Sequence, residues 1–379
     1  MATVDLDLPT LRTSERRLFK ECPWAWYMAY RMGYSPKAIQ ADAAWFGIGV
    51  HEALAQWYKK GKRRGIHPAE FFDDWVGDEI GFAKTWLDDE FEEAVWYDAR
   101  DLGVAMLEAY VERYGKDPQW HILSTEQPFQ ITITDHGEPV AIFKSRWDGV
   151  ARDLATGKII LLEHKTASQI VTAHLENDDQ GGSYFAVAGH LLRKAGVLKR
   201  GEEIEMIVYN FLRKSKPDER PRDEDGLYHN KPTKEHYISA LLAEGIRTVE
   251  RSSPKSGPVA VDKATAADLV AAASFAQIEV LGDISKSQPP EPFLRHPVMR
   301  TQSENATQLR KIADEVAWMN AVRDGTLPLI KSPSKACTRC PFRNPCILHD
   351  QGSDSWESIL RSNFIQRDPY EDDSKTAAA

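Results

Sequence analysis

Cysteine is scarce in this sequence, with four in 379 residues. The opening "MATVDLDLPTLRTSERRLF" lacks the basic start and apolar stretch of a secretory signal. A reducing, cytoplasmic setting is therefore expected, in which four thiols are poor material for two structural disulfides. Long apolar runs are also missing: none approaches the about twenty residues of a membrane span. Positive charge is in deficit, with a formal net charge of −9. That argues against a protein that coats nucleic acid over its whole surface, but it leaves room for a local basic path. The stretches 59–65 ("KKGKRRG") and 212–222 ("LRKSKPDERPR") are candidates, and each taken alone reads as a solvated loop. No G-x-x-x-x-G-K-[ST] pattern occurs, so the chain encodes no phosphate-loop motor.

Three of the few cysteines sit together. Cys337, Cys340 and Cys346 follow a C-x2-C-x5-C spacing in "CTRCPFRNPC", where Pro341 and Pro345 oppose regular helix. The fourth, Cys22, lies more than three hundred residues upstream. Three ligands on one compact loop need another, and Cys22 is the one left. Four thiolates suit tetrahedral zinc or an iron–sulfur cluster. Zinc ribbons usually pair two C-x2-C units close in sequence, so a one-plus-three split is unusual for zinc.

With 42% hydrophobic and 28% charged residues the chain has enough apolar material for a real core. Helices are expected over 14–31, 45–61, 68–115, 178–195, 233–252, 262–281 and 304–323. Between them the apolar period shifts to two, giving strands over 121–133, 139–153, 158–166 and 203–212. That order describes an α/β domain with a mixed sheet. The organisation read from the sequence is an N-terminal helical segment over 1–65, a helical insert over 66–118 and a core over 119–215. A C-terminal helical region follows over 216–350, and then a mostly disordered tail over 351–379.

The strands carry the candidate chemistry. Glu163 and Lys165, in "LLEHKT", stand two apart and share a sheet face, while His164 points the other way. A neighbouring hairpin strand can bring Asp148, in "RWDGVARD", beside Glu163. Two carboxylates together call for a cation, and hard oxygen donors suit Mg2+ or Mn2+. Taken alone, E-x-K is an ordinary strand-edge ion pair, but the apolar "IILL" before it marks a central strand where charges need a reason. His51 could add an imidazole to the same metal. Gln180 and Tyr184, four apart in "QGGSY", share a helix face. The glycines between them weaken that helix and would let a phosphate backbone approach closely.

Together these residues resemble the PD-(D/E)XK nuclease superfamily, in particular the RecB/AddB-like branch that includes the small exonucleases of CRISPR adaptation. The resemblance implies a restriction-endonuclease-like core: a mixed central sheet flanked by helices. "GIGVHEAL" is similar to the family's histidine motif, implying His51 as a metal ligand. "RWDGVARD" and "LLEHKTAS" imply Asp148, Glu163 and the backbone carbonyl of His164 as further ligands, with Lys165 catalytic. "QGGSY" resembles the Q-x-x-x-Y motif, implying that Gln180 and Tyr184 contact DNA and shape the site. One branch holds a 4Fe–4S cluster on one cysteine before the core and three after it, and "KECPWAWYMAY" with "CTRCPFRNPC" resembles that arrangement. The implied activity is a metal-dependent exonuclease acting on DNA ends, with single-stranded DNA preferred. Its setting would be recombination, repair, replication or CRISPR adaptation, in a phage or a cell, with a helicase, recombination or integrase partner. Two rivals remain: a catalytically silent DNA-end-binding subunit, and a zinc-stapled structural protein.

Overall fold

The computed structural model describes residues 8–37, 41–86, 93–251 and 257–371. The chain opens with strand β1 (Thr10–Leu11), helices α1 (Thr13–Glu21) and α2 (Pro23–Trp26), strand β2 (Tyr34–Pro36) and helix α3 (Ala43–Trp57). The segment 66–118 carries the helices α4 (Pro68–Trp86) and α5 (Glu93–Tyr114). Then come β3 (Trp120–Asp135), β4 (Glu138–Asp153), β5 (Ile159–Ala167), α6 (Asp179–Lys194) and β6 (Ile204–Arg213). These match the strand and helix periods read from the sequence.

Residues 216–292 form a second compact unit inserted in the chain after β6. It contains α7 (Lys234–Ala243), β7 (Thr248–Val249), β8 (Val259–Ala260) and α8 (Ala266–Phe275) around a small core that includes Leu241, Val259 and Leu269. The helix expected over 233–252 is shorter because Gly245 adopts a left-handed φ of 76° just past its end, which stops α7.

The first unit resumes with β9 (Phe293–Met299), α9 (Gln302–Arg323), α10 (Arg343–Asp350), α11 (Ser355–Asn363) and β10 (Phe364–Gln366). The sequence gives no sign of β9, whose Pro297 reads against a strand. It pairs with β6 at the end of the sheet, where a missing N–H is tolerated. The segment from 351, expected to be mostly disordered, instead carries α11 and β10. Strand β10 pairs antiparallel with β2, and Phe364 stacks on Phe342 at 5.0 Å between ring centroids. The residues after 371 in that expected tail lie outside the described ones.

The central sheet runs β1-β4-β5-β6-β9, with β3 on the other side of β4. It is mixed: β5 and β6 are parallel, while β3–β4, β4–β5 and β6–β9 are antiparallel. Along β5 the run Ile159–Leu162 alternates between two cores. Ile159 and Leu161 pack with α6 and α9, while Ile160 and Leu162 pack with α3, α4 and α5. A strand covered on both faces reads as a continuous apolar run, which accounts for "IILL".

Candidate active site

Strands β4 and β5 pair only from Gly149↔Leu162 to Arg152↔Ile159. Beyond that point β4 follows β3 and β5 follows β6, so the sheet opens into a fork. Asp148 and Glu163 are the first residues past the last pair, and they face each other across the opening. The backbone N–H of His164, released from pairing with β4, donates to Asp148 Oδ2 at 2.5 Å.

Helix α3 supplies the next group. Its first turn is fixed by Asp42, whose side chain accepts from the backbone N–H groups of Ala44 and Trp45, both at 2.9 Å. Two turns on, His51 Nδ1 lies 3.2 Å from Asp148 Oδ1. From the opposite face α6 brings Gln180. Lys165 Nζ donates to Glu163 Oε1 (2.8 Å) and to Gln180 Oε1 (2.7 Å), and Gln180 Nε2 donates to Tyr184 OH (3.3 Å). Tyr184 also accepts from Ser145 on β4 at 2.9 Å, and its side chain is buried.

The glycines beside Gln180 have a different reason from the one expected. Gly181 and Gly182 are buried and face protein, not open space. A Cβ at Gly181 would stand 2.1 Å from Tyr209 OH, and one at Gly182 would crowd Arg300. They let α6 close on β6, where Tyr209 OH and the Gly181 N–H both donate to the capping Asp178. The expectation of phosphate approach at these glycines is therefore replaced by helix–sheet packing.

Glu126 was missed. It sits on β3 opposite Asp148, in a left-handed conformation (φ 43°) that is costly for a non-glycine residue. The pairs Thr125↔Gly149 and Gln127↔Trp147 flank it in unbroken register. Its carboxylate comes within 3.9 Å of His51 Nδ1, and the other oxygen pairs with Arg146 Nε at 2.8 Å. Ligand atoms of His51, Glu126 and Asp148 all lie within 4.8 Å of one another.

The electrostatics of the cluster favour a bound cation. Burial, then the neighbouring Asp148, raises the Glu163 carboxyl to about 7 against the pull of Lys165. Burial and Asp148 likewise raise Glu126 to about 8. Burial works to lower His51, but the Asp148 charge and hydrogen bond outweigh it and lift the imidazole to about 9. Glu163 Oε2 is buried without any hydrogen-bond partner. A buried carboxylate oxygen with no donor is costly, and a divalent cation would satisfy it. The donor set of imidazole and carboxylates fits Mg2+ or Mn2+.

His164 turns its ring to the face of β5 opposite Glu163 and Lys165, edge-on to His51 at 6.0 Å between ring centroids. There its Nδ1 lies 2.9 Å from Asn210 Nδ2, and the Tyr58 ring stacks on it at 5.8 Å. Burial pushes this imidazole down to about 4, so it is neutral at physiological pH.

A mixed sheet that forks over two carboxylates and a lysine defines a class: an α/β protein with a restriction-endonuclease-like core and a metal-binding centre between its strands. A family model described as the PD-(D/E)XK nuclease superfamily matches residues 13–347, and the chain belongs to that superfamily. Members are generally nucleases that use Mg2+ or Mn2+, with DNA as the implied substrate. No curated protein matches the chain. Among the described residues, no helix is long and apolar enough to cross a membrane.

Metal uptake is expected to expel protons. Near pH 7 Glu126 and His51 hold most of their protons and Glu163 about half, and a cation needs all three deprotonated. Titrating Mn2+ into the protein by calorimetry, in buffers of different ionisation enthalpy, should show release of about two protons. The folded-state pKa values of Glu126, Glu163 and His51 are all raised. The stability their protonation lends is full below about pH 4.5 for the glutamates and is lost as pH climbs through about 7 to 9. The rise in melting temperature given by Mg2+ should therefore grow over the same range, and a flat response would contradict this electrostatic account.

Proposed function

We propose that the protein is a metal-dependent DNA exonuclease of the RecB/AddB-like branch. It would hydrolyse phosphodiester bonds from DNA ends and prefer single-stranded DNA. The observation that carries the reading is Glu163, buried at the fork with one oxygen on Lys165 and the other without a partner, across from Asp148. In this reading His51, Asp148, Glu163 and the His164 carbonyl hold Mg2+ or Mn2+, and Glu126 can add a further oxygen. The bound ion supplies Lewis acidity, polarising the phosphodiester and activating water. Lys165 orients the attacking water and balances charge developing on the phosphate. Burial works to lower the Lys165 pKa, but Glu163 outweighs it and keeps the ammonium charged. Gln180 fixes the lysine and guides the DNA strand, and Tyr184 shapes the site by tying α6 to β4 through Ser145. The process served would be recombination, repair, replication or CRISPR adaptation, with a helicase, recombination or integrase partner.

The same proposal places a 4Fe–4S cluster on Cys22, Cys337, Cys340 and Cys346, joining the two ends of the nuclease unit. Cys22 lies between α1 and α2, Cys337 and Cys340 lie in and just after a 3-10 turn, and Cys346 lies in α10. Burial raises the Cys340 thiol, and the nearby Cys22, Cys337 and Cys346 push it further, which supports a shared centre. Trp24, Phe342, Leu360 and Phe364 pack against Cys22, Cys340 and Cys346.

The test is protein purified without air and given end-labelled single-stranded DNA with Mn2+. A brown protein that shortens the DNA from an end supports both parts. A colourless, zinc-loaded protein would remove the cluster. Binding without shortening would replace the enzyme with a DNA-end-binding subunit.

A further inference from the structure

Arg146 stands two residues before Asp148 on β4 and faces α3 with it. The same helix meets both: His51 reaches Asp148, and Glu52 Oε1 lies 3.7 Å from Arg146 NH1. The main partner of the guanidinium is Glu126, through Nε to Oε2 at 2.8 Å. Half of the Arg146 side chain, 51%, is exposed, whereas Glu126 is 14% and Asp148 8% exposed. The arginine is thus the most exposed cation of the cluster, and it holds Glu126, a member of the His51–Glu126–Asp148 donor group.

Once metal uptake expels the Glu126 proton, two cations compete for its carboxylate. A divalent ion among His51, Glu126 and Asp148 would draw the carboxylate toward itself and repel the guanidinium. Arg146 would lose its partner at the open side of the fork. There its planar array of donors matches a phosphodiester, which presents two anionic oxygens for paired hydrogen bonds.

We propose that Arg146 is a phosphate-gripping residue of this site, held by Glu126 in the metal-free protein and turned to the DNA backbone when a divalent cation engages Glu126. The inference rests on the nuclease reading and adds a residue that none of its motifs contains. It makes DNA affinity depend on the metal through an arginine, beyond any contact of the ion itself with DNA.

The experiment compares full-length wild type with Arg146→Gln and Arg146→Lys. A fluorescein-labelled single-stranded oligonucleotide is titrated by anisotropy in EDTA and in Ca2+, over a range of salt. Mn2+ binding without DNA is read by electron paramagnetic resonance, and cleavage is measured in Mn2+. Wild type should bind DNA more tightly in Ca2+ than in EDTA. Arg146→Gln should lose about tenfold of that affinity, with a salt slope shallower by about 0.7. Its Mn2+ affinity should stay level or rise, because a competitor for Glu126 is gone, and KM should rise by more than kcat falls. Arg146→Lys should recover part of the affinity, keeping the charge without the fork. An Arg146→Gln protein with unchanged DNA affinity and salt slope but weaker Mn2+ binding would overturn the proposal and leave Arg146 as a counterion only. A wild type that neither binds Mn2+ nor cuts would instead defeat the nuclease reading and this inference together.

Discussion

Asp148→Asn is expected to abolish both Mn2+ binding and DNA cleavage, whereas Lys165→Ala should abolish cleavage and spare the metal. Asp148 is the hinge of the charge arrangement. Burial alone would raise its carboxyl, but His51 and the His164 N–H outweigh burial and hold it at about 2, so it is the one carboxylate of the cluster ionised across the physiological range. Asparagine can still accept from the His164 N–H, so the fork is kept while the charge is lost. Without that charge, nothing comparable holds the His51 imidazole or draws a cation between the strands. Lys165 plays the opposite part, since its ammonium occupies Glu163 Oε1. Removing it frees that oxygen, so Mn2+ binding should hold or tighten. Cleavage should still fall by about a thousandfold, near 4 kcal/mol of barrier. Gel assays with end-labelled DNA and Mn2+ paramagnetic resonance on both variants separate the two roles. If Lys165→Ala cuts at the wild-type rate, the lysine is an ordinary ion-pair partner of Glu163.

The parts of this site that could be read from the sequence are those whose partners are local or fixed by a strand period. Glu163 and Lys165 declare their shared face by standing two apart, and Gln180 and Tyr184 do so by standing four apart on a helix. Asp148 could be placed because a hairpin joins its strand to the next. Glu126 carried no such sign. In "LSTEQPF" it is one polar residue among several, and it reaches the cluster only because β3 twists through a positive φ opposite Asp148. Arg146 was hidden for a related reason, because its meaning comes from Glu126. The glycines of α6 could be seen but were misread, since what they accommodate is Tyr209 and Arg300, which arrive from later strands and turns. Strand β9 was invisible for want of a pattern, as its proline and charged residues hide a strand that completes the sheet.

Arg295, on that hidden strand, should matter most for stability. Its guanidinium meets the Asp117 carboxylate with two bonds of 2.7 Å, and it reaches Tyr110 OH at 3.0 Å and Tyr58 OH at 3.3 Å. It lies over the rings of Tyr114 (3.6 Å) and Trp120 (4.1 Å). Asp117 is 1% exposed, so losing the arginine leaves a buried, unpaired carboxylate. Arg295→Met should therefore cost about 3–5 kcal/mol and lower the melting temperature by roughly 5 °C. Adding Asp117→Asn should win part of that back, because the stranded charge goes too; two losses that simply add would show that the pair is not coupled. The consequence reaches the fork through a continuous set of contacts. Tyr110 OH accepts from Asn210 Nδ2, which lies 2.9 Å from the His164 ring, and Tyr58 stacks on that ring. His164 is the residue between Glu163 and Lys165, and its backbone N–H holds Asp148. A network anchored by a strand that the sequence conceals thus braces, from behind, the short segment that carries the proposed chemistry. The Arg295→Met protein should lose activity at temperatures where it is still folded, and the double variant should regain stability before it regains rate.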